Sequence, residues 1–510
     1  MRGNPHDDGD IQQPGDYILP DIILVSHDGN AIAIRDMVIE LNIYESIYKN
    51  AVTGTLVIFD TQNIIQSLPL QGTERLMFKL STPGTSGNPN LTIDATETTG
   101  NPFHIYKLSD RKELKEGVES YVLHFCSREM FRNMRHKVSK AYNGELSTSA
   151  VQIYTDESKL DGKKQLKIEP TRNQDKIVMP NIRPFDAINM LATKALSKNG
   201  KSAGYLFYET TKSFYFRSVE NMMATQSLFP RDEEIEINYS PKNVGLGTGK
   251  KNASGEYNLY NVDNYSFHQH FNTAINTVTG TYGSNIITHN IYDKSYNITN
   301  YNFHDSFHEE YHAAKVGQRG SQSNYPVSRT PISLELTDDG SRQKAISDYP
   351  ESYTVLLPTT RYLHNENTGI FGTDPESEGY TEARRISRTN QTNNTNVLNI
   401  ELPGHSYLEA GDVIKFNLPS QEPGKGIHNR GTILDEHHSG RYLITKLRHQ
   451  VAKEGYAIII ECIKDSVANA YGDNETYPGT EQKPTKVVDL YEDEQGRVAN
   501  QKTIKPPFLS

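Results

Sequence analysis

The residues whose types and spacing come closest to chemistry are His308-Glu309-Glu310-Tyr311-His312, a match to H-E-x-x-H. On a helix this spacing sets two imidazoles one turn apart on a single face, where they bind zinc, and Glu309 would be the general base of a metallopeptidase. His304 adds a third histidine at the same four-residue step. The surroundings argue the other way. Glu310 puts a charge where such a helix packs an apolar residue, and the flanks Asn302–Asp305 and Lys315–Gly320 are polar. The expectation is a solvated loop or short helix. No catalytic residue, cofactor or resident metal is expected, and His308 and His312 stand as the candidates should a metal bind.

Two other stretches have the right residue types without the right spacing. Gly245-Leu246-Gly247-Thr248-Gly249-Lys250-Lys251 is glycine-rich like a phosphate loop, but it lacks the G-x-x-x-x-G-K-[ST] step and no hydrophobic strand leads into it. A flexible loop is expected there. His437-His438 follows Asp435-Glu436, and four polar residues in an exposed turn need no metal. No carboxylate pair is singled out for acid–base work.

Composition limits what such residues could serve. The 510 residues suffice for two to four domains with cores of their own. Mean hydropathy of −0.66 predicts a soluble chain. No run reaches the roughly 18 apolar residues of a membrane span. The opening MRGNPHDDGD has no apolar signal region. Lys and Arg number 53 against 63 Asp and Glu, and 53 − 63 = −10. A chain with that balance is a poor grip for phosphates, though it suits a surface along which DNA slides without sticking. Cys126 and Cys462 lie inside strand patterns and are expected as buried, reduced thiols.

In chain order the pattern is mostly strand. Ile18–Ser26, the alternation Val38–Ile43, and the segments 54–60, 76–80, 103–108 and 121–127 make six or seven short strands. The segment 81–100 is rich in Pro, Gly, Ser and Thr and is expected as an exposed loop. Helical spacing is expected over Ser127–Asn143 and again from Pro184, with Phe185, Ile188, Leu191 and Ala195 on one face. Strands follow at 205–209 and 214–219, then at 235–239 and within 257–303. Val278-Thr279-Gly280-Thr281 repeats Val52-Thr53-Gly54-Thr55, a weak internal match. Residues 313–395 are polar, and 467–510 are charged and poor in core residues.

The stretch 397–466 organises the rest. Leu398, Ile400 and Leu402 alternate with polar residues, Glu409-Ala410-Gly411-Asp412 breaks the pattern, and Val413–Phe416 resumes it. Two further strands, 440–447 and 456–463, complete an expected four-stranded antiparallel meander, the kind of unit that closes a small barrel. Its order, with L-x-x-G-D-x-I-x-F over Leu408–Phe416, then Ser439-Gly440-Arg441-Tyr442-Leu443-Ile444 and His449, resembles the C-terminal barrel of the central baseplate hub protein of contractile-tailed, T-even-like phages, and of type VI secretion spike proteins.

That resemblance implies a mainly β fold with an α+β insertion: two tube-like antiparallel β-barrels, a small α+β module and a homotrimeric ring. It implies an N-terminal arm at 1–16, a first barrel at 17–127 with its central hairpin in Tyr44–Asn63, and the α+β module at 128–225. A second barrel would be divided between 226–312 and 396–466, with a polar linker or insertion at 313–395 and an extended tail at 467–510. The implied function is structural and non-enzymatic: a virion protein of the tail baseplate that joins the central spike to the six-fold tail tube and leaves a channel for DNA. Implied partners are two further copies, the spike, the tube protein and the wedge proteins. The genome would pass without specific binding, and no membrane is involved. The alternative is a tail-associated zinc metallopeptidase using His308 and His312.

Overall fold

The computed structural model describes residues 15–224 except 69, 84–90, 173 and 199–201; 235–239; 261–314 except 263, 291–293 and 295; parts of 325–372; and 375–420 and 434–467. Residues 1–14 of the N-terminal arm, Lys250 and Lys251 in the glycine-rich loop, and residues 468–510 of the C-terminal tail lie outside the described residues.

Alternating apolar and polar side chains make the first strands. These are Ile22–Val25 (β1), Val38–Ser46 (β2), Thr53–Asp60 (β3), Arg75–Leu80 (β4), Phe103–Lys115 (β5) and Val118–Cys126 (β6). They lie in the order β2-β3-β6-β5-β4-β1, every pair antiparallel. Leu41, Ile43, Leu56, Ile58, Leu123 and Phe125 are buried in the core, and Glu40, Thr55 and Val122 alternate with them on the other face.

An α+β module follows: Arg128–Arg135 (α1), Leu146–Thr155 (α2), Pro184–Lys194 (α3), the hairpin Tyr205–Glu209 (β7) with Ser213–Ser218 (β8), and Val219–Ala224 (α4). The helix expected to run to Asn143 stops at Arg135. Val138 bridges Ile182, and Ala141–Glu145 is drawn into a strand pair with Gln174–Val178. The module has its own core, with Phe185, Ile188 and Leu191 packed against Phe207 and Phe214. Buried carboxylates hold it to the sheet. Glu45 of β2 accepts from the Thr211 amide at 2.6 Å, and Glu209 accepts from the Val52 amide at 2.8 Å and Lys164 Nζ at 2.6 Å. Burial pushes the Glu209 carboxyl up to about 7, although Lys164 pulls the other way.

The middle of the chain departs most from expectation. Its elements are Ile235–Tyr239 (β9), Asn264–Gln269 (β10), Thr273–Val278 (α5), Gly283–Asn290 (β11), Tyr296–Asn302 (β12), Phe303–Phe307 (α6), Thr354–Thr359 (β13) and Pro375–Asn394 (α7). Only β9, Asn261–Val262 and β10 join the large sheet; β12, β11 and β13 form a separate three-stranded sheet. Helix α7 packs on that sheet around Tyr282, Ile286, Tyr301, Phe303 and Ile386. Residues 313–395, expected as a polar linker, thus contain a 20-residue helix. Its polar sequence hid the packing because two of its buried residues are arginines, Arg384 and Arg388. Val278 closes α5 whereas Val52–Thr55 leads into β3, so the Val-Thr-Gly-Thr match has no structural counterpart.

The last strands are Asn396–Pro403 (β14), Val413–Asn417 (β15), Gly440–Ala452 (β16) and Gly455–Lys464 (β17). They do not form the expected meander. The order is β10-β14-β17-β16-β15-β9, with β14 against the final strand and β15 against β16. Residues 404–412 are a crossing that ends in the expected turn at 409–412: the Gly404 amide bonds the Tyr456 carbonyl, the Gly411 amide the Ile444 carbonyl and the Asp412 amide the Glu409 carbonyl.

Two units of like construction therefore stand in one sheet, β2-β3-β6-β5 and β10-β14-β17-β16. Their long hairpins turn on the same three residues, Lys115-Glu116-Gly117 and Lys453-Glu454-Gly455. Each glycine has positive φ, +74° and +149°. Each long strand slips register at the same point, Ile105/Lys107 and Ile444/Lys446. Inward residues also correspond, with Leu56, Ile58, Leu123 and Phe125 answering Ile400, Leu402, Ile460 and Cys462, all buried. The units are stitched where Lys446–Ala452 of β16 runs antiparallel to Ser46–Glu40 of β2, and one apolar core spans both.

Gly54 lies against β2 and β6 where no side chain fits. A Cβ there would stand 2.1 Å from Phe125 Cζ and 2.4 Å from the Asn42 carbonyl oxygen. Gly54→Ala is expected to destabilise the fold by about 1–3 kcal/mol, read as a lowered urea midpoint with an unchanged slope.

Candidate functional site

The H-E-x-x-H residues begin where a helix ends. Helix α6 is a short helix whose first amides, of His304 and Asp305, are capped by the Asn302 side chain. After Phe307 the backbone turns, with the Glu309 amide on the Ser306 carbonyl and the Glu310 amide on that of Phe307. The two imidazoles therefore do not share a helical face. His308 is exposed and its Nε2 lies 2.9 Å from the Tyr325 hydroxyl. His304 is buried, with Nδ1 2.7 Å from Ser347 Oγ and Nε2 3.3 Å from the Val327 carbonyl.

His312 is buried too, which corrects the expectation of a solvated segment. Its ring stacks on Phe307 with centroids 3.7 Å apart. Its Nδ1 lies 2.9 Å from Asp465 Oδ2 and its Nε2 2.8 Å from the Phe307 carbonyl. Both nitrogens face oxygen acceptors, so neither presents a lone pair to a metal. The residue that reorganises this segment is Asp465, 153 positions away at the end of β17.

Around that pair lies a buried ionic cluster drawn from four elements. Arg388 of α7 places Nε 2.8 Å from Glu310 Oε2 and Nη1 2.8 Å from Asp465 Oδ2, and its Nη2 donates to the Tyr311 carbonyl at 2.6 Å. Arg384, one turn earlier, donates to Glu309 at 2.6 Å and to the Tyr380 hydroxyl at 2.8 Å. Glu220 of α4 stands 3.7 Å from Arg388 and accepts from Ser202 Oγ at 2.6 Å. Asp465 Oδ1 also accepts from the Ala313 amide at 2.9 Å. Arg441 of β16 donates to the Ala313 and Met223 carbonyls. Burial pushes the Asp465 carboxyl up, but His312 and Arg388 pull it down further and leave it well below the usual carboxylate range. Burial lifts Glu310 above its ordinary value against the pull of Arg388, and Glu220 adds to the lift.

Chemically this arrangement is a clamp. Every partner is a fixed protein group, and the cluster ties helix α7, the 308–314 segment, α4 and the end of the sheet together. The second histidine pair is held differently: Asp435 Oδ1 accepts from the His437 and His438 amides, and Asp435 Oδ2 lies 3.0 Å from His438 Nδ1. Among the described residues no group of three His, Cys, Asp or Glu side chains is arranged to hold a metal. Cys126 and Cys462 are free and buried.

The two motif histidines are expected to separate sharply on substitution. His312→Ala strands Asp465 and the Phe307 carbonyl and should cost about 3–5 kcal/mol, whereas His308→Ala should stay within about 0.5 kcal/mol, both read from urea denaturation. Acid provides a second reading. A carboxyl whose folded pKa is depressed contributes stability above its unfolded value, and that contribution is lost as pH falls through and below about 3.9. Stability of the native chain should therefore fall more steeply below about pH 4 than that of Asp465→Asn, measured as melting temperature against pH.

No family model matches the chain. Its sequence is 19% identical over 448 residues to the probable baseplate hub protein gp334 of Vibrio phage KVP40, covering 86% of this chain and 92% of that protein. A tail protein from Neisseria meningitidis MC58 superposes with a TM-score of 0.48 at 8% identity, covering 88% of this chain and 97% of that one. An E. coli type VI secretion component, described as similar in structure to T4 tail proteins gp27 and gp5, gives 0.36 at 10% identity over 86% of this chain and 74% of that one. Neither score reaches 0.5, so weight falls on the sequence match. Along most of its length this chain resembles a baseplate hub protein of a phage tail.

Proposed function

We propose that the protein is the structural hub of a phage tail baseplate, a homotrimeric ring that joins the central spike to the six-fold tail tube. The observation that carries this reading is the pair of like units, β2-β3-β6-β5 and β10-β14-β17-β16, joined side by side in one sheet. Two similar units per chain let three chains present six similar faces, which meets a six-fold partner from a three-fold ring. The match to a hub protein over 448 residues supports the same reading. Each unit would close as a tube-like barrel, with the spike docking on one end of the ring and the tube and wedge proteins on the other.

DNA would pass through the centre without being held. A conduit must not present free cations to phosphates, because each such contact adds a salt-dependent grip. Cations on the outward face of β16 are already engaged within the chain: Arg448 donates to Glu40 and Asn42 at 2.9 and 2.8 Å, and Lys446 to Glu461 at 2.9 Å. The role of the histidine segment is then to hold α7 and its sheet against the ring.

Mass photometry of the purified protein, alone or with its spike, is expected to show a particle near 3 × 57.6 = 172.8 kDa. A species that stays at 57.6 kDa in the presence of the spike rules the ring out.

A further inference from the structure

The α+β module differs in charge from the rest of the chain. Residues 128–225 hold 17 Lys and Arg against 10 Asp and Glu, and 17 − 10 = +7 in a chain whose total is −10. Part of that excess is gathered on a two-stranded ribbon, where the chain between α1 and α2 runs antiparallel to the chain that leads into α3. Val138 bridges Ile182, the Met179 amide donates to the Lys140 carbonyl, and Ala141 pairs with Val178. Alternation gives the ribbon two faces. Val138, Tyr142, Ile177 and Met179 belong to the core of the module, whereas Lys137, Lys140, Lys176, Val178 and Arg183 are exposed.

The Val138–Ile182 bridge sets Lys137 directly opposite Arg183. Like charges facing each other across a strand pair are destabilising, and a carboxylate laid over them reverses the sign. Apolar surface lies among the cations: Val178 is 68% exposed, and Met134, three residues before Lys137, is 51% exposed. Of the carboxylates close to the ribbon, Asp156 accepts from the Ser158 amide and hydroxyl, and Asp186 sits in the first turn of α3. A covering group should therefore carry several carboxylates and apolar side chains together.

We propose that residues 487–494 of the same chain dock on this face. The segment reads Val487-Val488-Asp489-Leu490-Tyr491-Glu492-Asp493-Glu494, four carboxylates and four apolar or aromatic side chains without a cation. Lys486 precedes it and Arg497 follows. The described residues end at Val467, beside Ser466, whose hydroxyl accepts from the Ala314 amide at 3.0 Å. From there 487 − 467 = 20 residues lead to Val487. At ~3.3 Å per residue they reach up to ~66 Å, while a module of this size is about 30 Å across. Tethering supplies a high effective concentration, so a few exposed ion pairs of modest strength suffice. Phosphates would also satisfy the cations. They would leave Val178 and Met134 uncovered, whereas Val487, Val488 and Leu490 cover them. The docking does not depend on the hub reading.

The test is carbodiimide coupling of the full-length protein, which joins a lysine amine to a carboxylate only where the two touch. Links from Lys137 or Lys140 to Asp489, Glu492, Asp493 or Glu494 are expected in the peptide map, and fewer of them in about 1 M NaCl. The coupled chain should still run at 57.6 kDa on a denaturing gel. Hydrogen exchange gives a second reading: amides of 487–494 should exchange about tenfold more slowly in the native chain than in a Lys137→Gln/Lys140→Gln/Arg183→Gln variant. A map without these links, or equal exchange in both proteins, overturns the proposal. The same links found only in coupled dimers overturn docking within the chain. Duplex DNA held by the native protein and released by the triple variant gives the ribbon to nucleic acid, and overturns the tail as its occupant.

Discussion

The architecture depends on one long-range pairing, Ser46–Glu40 of β2 against Lys446–Ala452 of β16. Strands some four hundred positions apart share a ladder here, and beneath it the apolar core runs without a break from Leu41 and Ile43 to Leu447 and Val451. A polar contact marks the same line. Glu45 is fully buried at the seam, 3.9 Å from His449 Nε2, and accepts from the Thr211 and Ala410 amides. Burial pushes this carboxyl up, and the His449 contact and the Ala410 amide bring it below its ordinary value. One side chain thereby fixes the seam, the α+β module and the 404–412 crossing against each other. Ordering so much chain before a non-local ladder can form makes a slow-folding topology.

The second tier of organisation is ionic rather than apolar. Helix α7 and its three-stranded sheet have a modest core of their own, and they meet the rest of the molecule through Arg384, Arg388, Glu310, Glu220, His312 and Asp465. Removing these charges from water costs several kcal/mol per ion, and their mutual attraction roughly returns it. The cluster therefore contributes little net stability and much orientation. An apolar contact of the same area would tolerate sliding, whereas a guanidinium shared between Glu310 and Asp465 holds only in one pose.

This division explains what could be read from the chain alone. Period-two alternation is legible wherever a strand has one buried face, so β2, β3, β6, β14 and β17 lie close to their expected spans, while β16 runs five residues past its expected end at 447. Their partners were not legible, because pairing order is a property of the sheet: β14 was expected beside β15 and lies beside β17. The like units leave a trace in the repeated Lys-Glu-Gly turns, whereas Val-Thr-Gly-Thr recurs without recurring structure. Both Lys-Glu-Gly turns require a glycine with positive φ, a physical constraint; nothing comparable acts on Val278–Thr281 beyond Gly280. At the candidate site, the solvated reading of His312 failed for want of Asp465, and the linker reading of 313–395 failed because arginines normally signal surface. Residues whose burial depends on a distant partner of opposite charge look exposed in any local window.

The match between the units is one of constraint rather than of composition. Inward positions keep their apolar character because both units contribute to one core, with Leu56 answering Ile400 and Leu123 answering Ile460. The bulges and turns recur because they set where each long arm leaves its own unit. Outward positions are free of both demands and have diverged: Glu40 and Asn42 on β2 correspond to Asn264 and Ser266 on β10. In the β2–β16 seam that freedom is used for charge, with Arg448 on Glu40. The residues that correspond to this pair in the other unit, Ser109 on β5 and Asn264 on β10, are uncharged. A seam within one chain forms at high effective concentration and survives salt through its backbone ladder, so its ion pair can serve register.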